Sequence, residues 1–214
     1  AFFIRRTFRG NALYTSVFKE YLYSILSRNT PLEYFIEGGR SRTGRLLPPK
    51  TGMLAMTVHS HLRGRAKPIV FVPTYIGYER LMEGATYVGE MNGKPKEAES
   101  VFGILQTLRK IERIFGKVHL NFGEPVFLDD MLKKHGAENV QIAKNDDPIP
   151  QEVSDAVNSS AHAILENINR AAVVNPVSLL SLVLLATEKH TLDEEICIKQ
   201  LDTYRKLLTT LPYD

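Results

Sequence analysis

Apolar positions in the first part of the chain follow two patterns that predict different elements. Phe2 to Arg6 is a short apolar run that ends in two arginines, and this pattern predicts a strand. Residues 12 to 28 carry apolar side chains at helical spacing, namely Leu13, Val17, Tyr21, Leu22 and Ile25. This spacing predicts an amphipathic helix whose apolar side packs on a core.

Strands and helices are predicted to alternate as far as residue 122. Further strands are predicted at residues 33–37, 69–72 and 118–122, and further helices at residues 53–62 and 101–115. Such an alternation favours an α/β fold with a mixed, largely parallel sheet flanked by helices. Ligands bind at the loops that follow the strands of such sheets.

The pattern changes after residue 136. Residues 137–151 are polar and include Asn145-Asp146-Asp147-Pro148, which predicts a linker between an α/β domain at 1–136 and a helical region at 152–214. Within the helical region, Leu179 to Leu185 is apolar on all sides. We expect a buried helix there, with a helix that faces a membrane or a partner as the alternative.

Composition places the chain among ordinary globular proteins. Its 214 residues are 43% hydrophobic, enough for one substantial core or one core with a small helical annex. The single cysteine, Cys197, cannot form an internal disulfide and fits a reducing compartment. No signal peptide is visible, and the apolar run directly after Ala1 predicts that the chain is an excised piece of a longer protein.

Positive charge is concentrated at the front of the chain. Residues 1–80 hold 13 Lys and Arg against 4 Asp and Glu, whereas the remainder holds 14 against 20. The positive net charge of residues 1–80 suits a phosphate-bearing ligand, an acidic protein or an anionic membrane surface as the partner.

The segment from Tyr34 to Arg45, YFIEGGRSRTGR, is the most informative. Two glycines after Glu37 let the backbone turn, and Arg40, Arg42 and Arg45 project from the loop that follows. Arginine forks match phosphate oxygens, and glycine-rich backbone offers N–H donors. A nucleotide-binding P-loop is excluded because Arg45-Leu46 stands where Lys-Ser/Thr is required. On these residues alone, a phosphate site and a solvated basic turn both remain open.

Three segments together resemble the glycerophosphate acyltransferase family. FFIRR at residues 2–6, FxEGxRSRxG from Phe35, and VPxYIxYE from Val72 follow the order and spacing of three of that family's four signature blocks. The likeness extends to Leu47-Pro48-Pro49-Lys50-Thr51-Gly52 and through the C-terminal helices, and it is strongest to the bacterial, membrane-associated branch that acts on glycerol 3-phosphate.

The resemblance implies a reaction and a set of site residues. The family transfers a fatty acyl group from acyl-CoA or acyl-carrier protein to the sn-1 hydroxyl of glycerol 3-phosphate, which gives lysophosphatidic acid, and it uses no metal or other cofactor. The second and third blocks, which hold the acyl acceptor, imply substrate-binding roles for Phe3, Arg5, Arg6, Glu37, Gly38, Arg40, Ser41 and Arg42. The fourth block implies that Pro73 lies on the acyl-donor side.

The first block of the family is missing from this chain. That block is a histidine followed five positions later by an aspartate, and none of the six histidines here has an aspartate at that spacing. We therefore expect no catalytic residue in this chain and place the general base before Ala1. The nearest pair, His119 with Glu124, lies in the wrong order relative to the other blocks.

Two alternatives and a location complete these expectations. Dihydroxyacetone phosphate stays open as an acceptor, and a basic nucleic-acid-binding module is the rival from another class. The rival is disfavoured because the arginines cluster at one glycine turn rather than along a groove with stacking aromatics, so we expect no nucleic-acid partner.

The resemblance implies peripheral attachment to the cytoplasmic face of the inner membrane. His59 and His61 are expected at a helix surface rather than in a metal site.

Overall fold

The chain divides into two units in a computed structural model. The first unit comprises Ala1–Pro73 and Glu124–Asn167, and the second comprises Thr74–Gly123 and Ile168–Asp214. The structure describes residues 4–5, 8, 10–39, 41, 45–64, 67–78, 117–144 and 147–210. The predicted helix at 101–115 and most of the predicted strand at Phe2 to Arg6 lie outside the described residues.

The first two helices of the chain pack against each other in the first unit. Helix α1 spans Ala12–Ser27 and begins at the N-cap Asn11, whose side chain accepts a 2.9 Å hydrogen bond from the Tyr14 N–H. Helix α2 spans Gly52–Gly64. Both helices were predicted from the period of their apolar residues, and both predictions are confirmed.

Helix α1 buries only part of the side that the sequence predicts. Its buried residues are Leu22, which belongs to the predicted apolar side, and Phe18, which does not. Leu13 is 76% exposed, and Val17 and Tyr21 are also exposed. Because α1 carries two apolar stripes offset by one residue, helical spacing alone cannot tell which of them meets the core.

A short sheet and two further helices complete the first unit. Strand β1 (Val70–Phe71) pairs antiparallel with strand β4 (Val126–Phe127), and helix α3 (Leu128–Lys134) follows β4 directly. Helix α4 spans Gln151–Arg170, and its residues up to Asn167 lie in this unit. One side of α4 is buried, at Val153, Ala156, Val157, Ser160, Ala161 and Ile164.

The prediction of a largely parallel sheet is wrong for the described residues. Their two sheets have two strands each, and both pairs are antiparallel. The strand expected at residues 33–37 is absent: residues 31–35 lack regular structure, and residues 36–37 form a turn. A strand needs a partner for its backbone groups, whereas the Ile36 carbonyl here accepts from the Lys50 N–H at 2.7 Å. The architecture is therefore mixed, with helices and small antiparallel sheets.

The second unit combines a two-stranded sheet with a helical pair. Strand β2 (Thr74–Tyr78) runs antiparallel to strand β3 (Val118–Phe122), from Thr74 opposite Phe122 to Tyr78 opposite Val118. Helix α5 spans Pro176–Leu185, a 3₁₀ turn follows at Glu188–His190, and helix α6 spans Glu194–Thr210. The predicted strand at 118–122 and the predicted helical C-terminal region are confirmed.

Helix α5 is not the buried helix that its sequence predicts. Val183 is its only buried residue. Leu185 is 70% exposed, and Val177, Leu180 and Leu182 are exposed as well. The alternative expectation, a helix that faces a membrane or a partner, is the one that this exposure favours. Among the described residues, no helix combines the length and the apolar composition needed to cross a membrane.

Candidate functional site

The arginine-rich loop between residues 38 and 46 is closed at its base. The Glu37 carboxylate oxygen Oε2 accepts a 2.7 Å hydrogen bond from the Leu47 N–H. One residue before Glu37, the Ile36 carbonyl accepts from the Lys50 N–H, also at 2.7 Å. These two bonds join the segment that enters the loop to the segment that leaves it.

Two prolines explain why Leu47 and Lys50 supply these bonds. Pro48 and Pro49 have no N–H, so the nearest backbone donors on either side of them are Leu47 and Lys50. Both of these donors point at the 36–37 segment. Because the two prolines cannot donate, Leu47 and Lys50 are left as the residues whose N–H groups bond to Glu37 and Ile36.

Gly38 has a conformation that the loop requires. Its φ is +60°, in the left-handed region that only glycine adopts without cost. A side chain there would also collide with Lys50, because an added Cβ would lie 2.9 Å from the Lys50 Cγ. The Gly38 N–H donates to the Phe35 carbonyl at 3.2 Å, which completes the turn.

Ser41 offers a hydroxyl group inside the loop. Its Oγ is shielded from solvent and has no hydrogen-bond partner among the described residues. A buried hydroxyl in that state costs free energy unless something else bonds to it, so a ligand oxygen would be favoured there. Arg40 and Arg42, on either side of Ser41, lie outside the described residues, as do Phe3 and Arg6.

Arg5 lies over an aromatic ring of helix α1. Its guanidinium carbon is 4.9 Å from the centre of the Tyr14 ring, and its backbone N–H donates to the Tyr14 hydroxyl at 3.1 Å. Phe8 joins the same cluster, with ring centres 5.3 Å from Tyr14 and 5.2 Å from Phe18. Stacking of this kind orients a guanidinium and leaves its N–H groups at the edge of the ring.

Pro73 and the two helix histidines complete the list of predicted residues. Pro73, which follows strand β1 in the chain, is fully buried. His59 and His61 are buried too, so the expectation of surface histidines is wrong. The reason is that residues 57–62 of α2 are all buried, so this part of the helix is enclosed on every side. Among the described residues, no group of three His, Cys, Asp or Glu side chains is placed to hold a metal ion.

The contacts that shape this loop are not evident from the sequence pattern. Glu37 and Gly38 stand out in the motif, but the bonds from Leu47 and Lys50 to the segment before the loop do not. The two prolines are a signal for these bonds, because they limit the backbone donors that are available. A cavity in the first unit is not evident either, because its lining residues are far apart in sequence.

Comparison with known proteins identifies relatives over the whole chain. Residues 87–214 match the family model described as glycerol-3-phosphate acyltransferase C-terminal region, and residues 1–77 match the acyltransferase model. Proteins named glycerol-3-phosphate acyltransferase from Pseudomonas fluorescens and Xanthomonas campestris are 48% and 49% identical over 213 and 214 residues. These alignments cover all of this chain but only 25% and 24% of the two relatives, so the chain spans about a quarter of their length.

Proposed function

Because this chain belongs to the glycerol-3-phosphate acyltransferase family, we propose that it is one part of a longer enzyme that acylates glycerol 3-phosphate. The observation that carries this proposal is the identity of 48–49% over the whole chain to proteins of that name. The described residues of the loop add a physical reason, because Glu37 closes its base and the Ser41 hydroxyl within it is unbonded.

The proposed reaction is acyl transfer from a thioester. A general base removes the proton of the sn-1 hydroxyl, and the hydroxyl oxygen forms a bond with the thioester carbonyl carbon. The carbon–sulfur bond then breaks, the thiol of CoA or acyl-carrier protein leaves with a proton, and lysophosphatidic acid is the product. We place the base in the remainder of the longer protein, because this chain has no histidine with an aspartate five positions later.

The role proposed for this chain is to bind and position the acceptor. Arg40 and Arg42 would bind the phosphate oxygens through their guanidinium forks, with Arg5 and Arg6 as further cations and Phe3 beside them. The Ser41 hydroxyl would donate to the same phosphate. Glu37 and Gly38 would hold the loop in shape. A phosphate fixed in this way places the hydroxyl beside the base, which lowers the entropy cost of the reaction.

The proposal assigns Pro73 to binding of the acyl donor and helix α5 to contact with the membrane. Pro73 is buried at the end of strand β1, where it would shape the wall against which the acyl donor lies. Helix α5 has no charged residue and exposes Val177, Leu180, Leu182 and Leu185, a surface suited to the boundary of a bilayer. We propose peripheral attachment to the cytoplasmic face of the inner membrane through this helix.

The experiment that tests this function compares two proteins in one assay. Formation of lysophosphatidic acid is measured from labelled glycerol 3-phosphate and acyl-CoA, first with the longer protein and then with the isolated 214-residue chain. We expect turnover by the longer protein only, because loss of a general base alone costs about 10²- to 10⁴-fold. No glycerol-3-phosphate acylation by the longer protein would refute the function, and turnover by the isolated chain would refute the assignment of the base.

A further inference from the structure

A buried side chain of helix α4 binds the backbone just ahead of strand β4. The Asn167 Nδ2 donates to the Glu124 carbonyl at 2.8 Å, although the two residues are 43 positions apart in sequence. Both residues belong to the first unit, and Asn167 is only 8% exposed. Neither residue belongs to the arginine-rich loop, so this contact is additional to the proposed acceptor site.

Asn167 is a polar residue on the buried side of α4. The other buried residues of this helix are apolar apart from Ser160, whose Oγ donates to the Ala156 carbonyl of the same helix at 2.7 Å. Burial of an amide is unfavourable unless the amide is hydrogen-bonded, whereas a leucine of similar size would pack there without that cost. The bond to Glu124 is therefore the physical reason for an asparagine at this position.

The register of strands β1 and β4 shows what the ladder would require next. Phe71 lies opposite Val126. In the same register, the Leu128 N–H donates to the Ile69 carbonyl at 3.0 Å, so these two opposite residues form a hydrogen-bonded pair. Such pairs recur at every second position of an antiparallel ladder. Phe71 and Val126 are therefore a hydrogen-bonded pair as well, and the next one falls two residues further along β1.

A proline occupies that next position. Continuing the register by two residues brings Pro73 opposite Glu124. In a hydrogen-bonded pair the N–H of residue 73 would donate to the Glu124 carbonyl, but proline has no N–H. The Asn167 amide supplies the missing donor to this carbonyl. Asn167 thus completes the hydrogen bonding that Pro73 interrupts.

We propose that Asn167 is a positioning residue for the acyl-donor side of the reaction. Its amide holds the backbone at Glu124, which the register places opposite Pro73, the residue assigned above to the acyl donor. Without this bond the segment ahead of β4 loses its anchor, and the wall at Pro73 loses its support. The link to the donor rests on the proposed function, whereas the hydrogen bond does not.

Two measurements on the longer protein test this role. Asn167→Leu keeps the size of the side chain but cannot donate, and it should raise the KM for acyl-CoA by about two- to tenfold, the effect of one lost hydrogen bond. The KM for glycerol 3-phosphate should stay near its original value. Hydrogen–deuterium exchange should become faster at residues 126–128 in this variant. Ser160→Ala, which removes a buried hydroxyl that donates within α4, is the control and should change neither measurement.

Pro73→Ala provides a test that a role in packing alone would not satisfy. This substitution restores an N–H at residue 73, which can donate to the Glu124 carbonyl in place of Asn167. The rise in the KM for acyl-CoA caused by Asn167→Leu should therefore shrink to less than about twofold when residue 73 is alanine. If Pro73→Ala abolishes turnover, the same comparison is made by exchange at residues 126–128.

Several results would overturn the inference. Equal rises in both KM values would show general loss of structure, and an equal effect of Asn167→Leu with proline or alanine at residue 73 would show that the two residues are not coupled. If Asn167→Leu does not fold, Asn167→Asp decides, because a carboxylate of the same size cannot donate to a carbonyl.

Failure of the inference and failure of the proposed function give different results. Turnover of glycerol 3-phosphate with exchange unaltered by Asn167→Leu would overturn the role of Asn167 and leave the function in place. Absence of turnover by the unchanged longer protein would overturn the function and the link to the donor with it. Faster exchange at residues 126–128 in Asn167→Leu would in that case still support the anchoring of this segment by Asn167.

Discussion

The carboxylate of Glu37 accepts a hydrogen bond from the backbone N–H of Leu47 at 2.7 Å, across the base of the arginine-rich loop. Glu37 is the one acidic residue among the arginines of this segment. A carboxylate would repel a bound phosphate, so a role in holding the loop is physically consistent with its position. The contact supports the proposal that Glu37 positions the loop instead of binding the substrate.

Replacement of Glu37 separates this role from a direct role in binding. Gln keeps an acceptor oxygen for the Leu47 N–H, although a neutral acceptor is weaker than a carboxylate, and Ala removes it. We expect Glu37→Ala to lower kcat/KM for glycerol 3-phosphate by about 10- to 100-fold and Glu37→Gln to lower it by a smaller factor. Equal losses in both variants, with unchanged melting temperatures, would instead show that the negative charge itself acts on the substrate.

A second prediction concerns Gly38. In Gly38→Ala the left-handed backbone costs about 1–2 kcal/mol, and the new Cβ meets Lys50, so the loop must shift. We expect a lower melting temperature together with a higher KM for glycerol 3-phosphate. The matched control is Gly52→Ala at the start of helix α2, where an added Cβ meets nothing within 4 Å. A Gly38→Ala protein as stable and active as the control would contradict the loop geometry.

The sequence predicted the regular elements better than their partners. Periodicity found α1 and α2 because a helix forms its hydrogen bonds within its own segment, and it also found β3, whose partner β2 is present. It failed at residues 33–37, where the apolar pattern is that of a strand but the Ile36 carbonyl bonds to Lys50 and the chain turns. Whether a strand forms depends on the segment that pairs with it, and one stretch of sequence does not contain that information.

Burial was harder to predict than helicity. Helix α1 has two apolar stripes, and the structure buries Phe18 and Leu22 while leaving Leu13 exposed. Helix α5 was expected to be buried because it is apolar all round, yet most of it is exposed. For the candidate site, the glycine and arginine residues were visible in the sequence. The bond from Leu47 to Glu37 depends on a return of the chain, which the prolines only suggest.

A third prediction follows from the exposure of helix α5. Leu185→Ser should weaken binding of the longer protein to anionic lipid vesicles by about tenfold, because burial of one leucine contributes about 1.5 kcal/mol or more. Leu13→Ser, which changes an exposed leucine of the first unit, serves as the control and should leave vesicle binding unchanged. Co-sedimentation measures both. Unaltered binding by Leu185→Ser would mean that α5 does not contact the membrane.

The most direct test of the proposed acceptor site is the KM for glycerol 3-phosphate of Arg42→Ala in the longer protein. A lost charge-assisted contact is worth about 1.5–3 kcal/mol, so this KM should rise by about 10- to 100-fold while the KM for the acyl donor stays near its original value. Arg205→Ala is the control, because Arg205 belongs to helix α6 of the second unit and pairs there with Asp202 at 2.7 Å. An unchanged KM for glycerol 3-phosphate, or an equal rise for both substrates, would contradict the assignment of this loop to the phosphate.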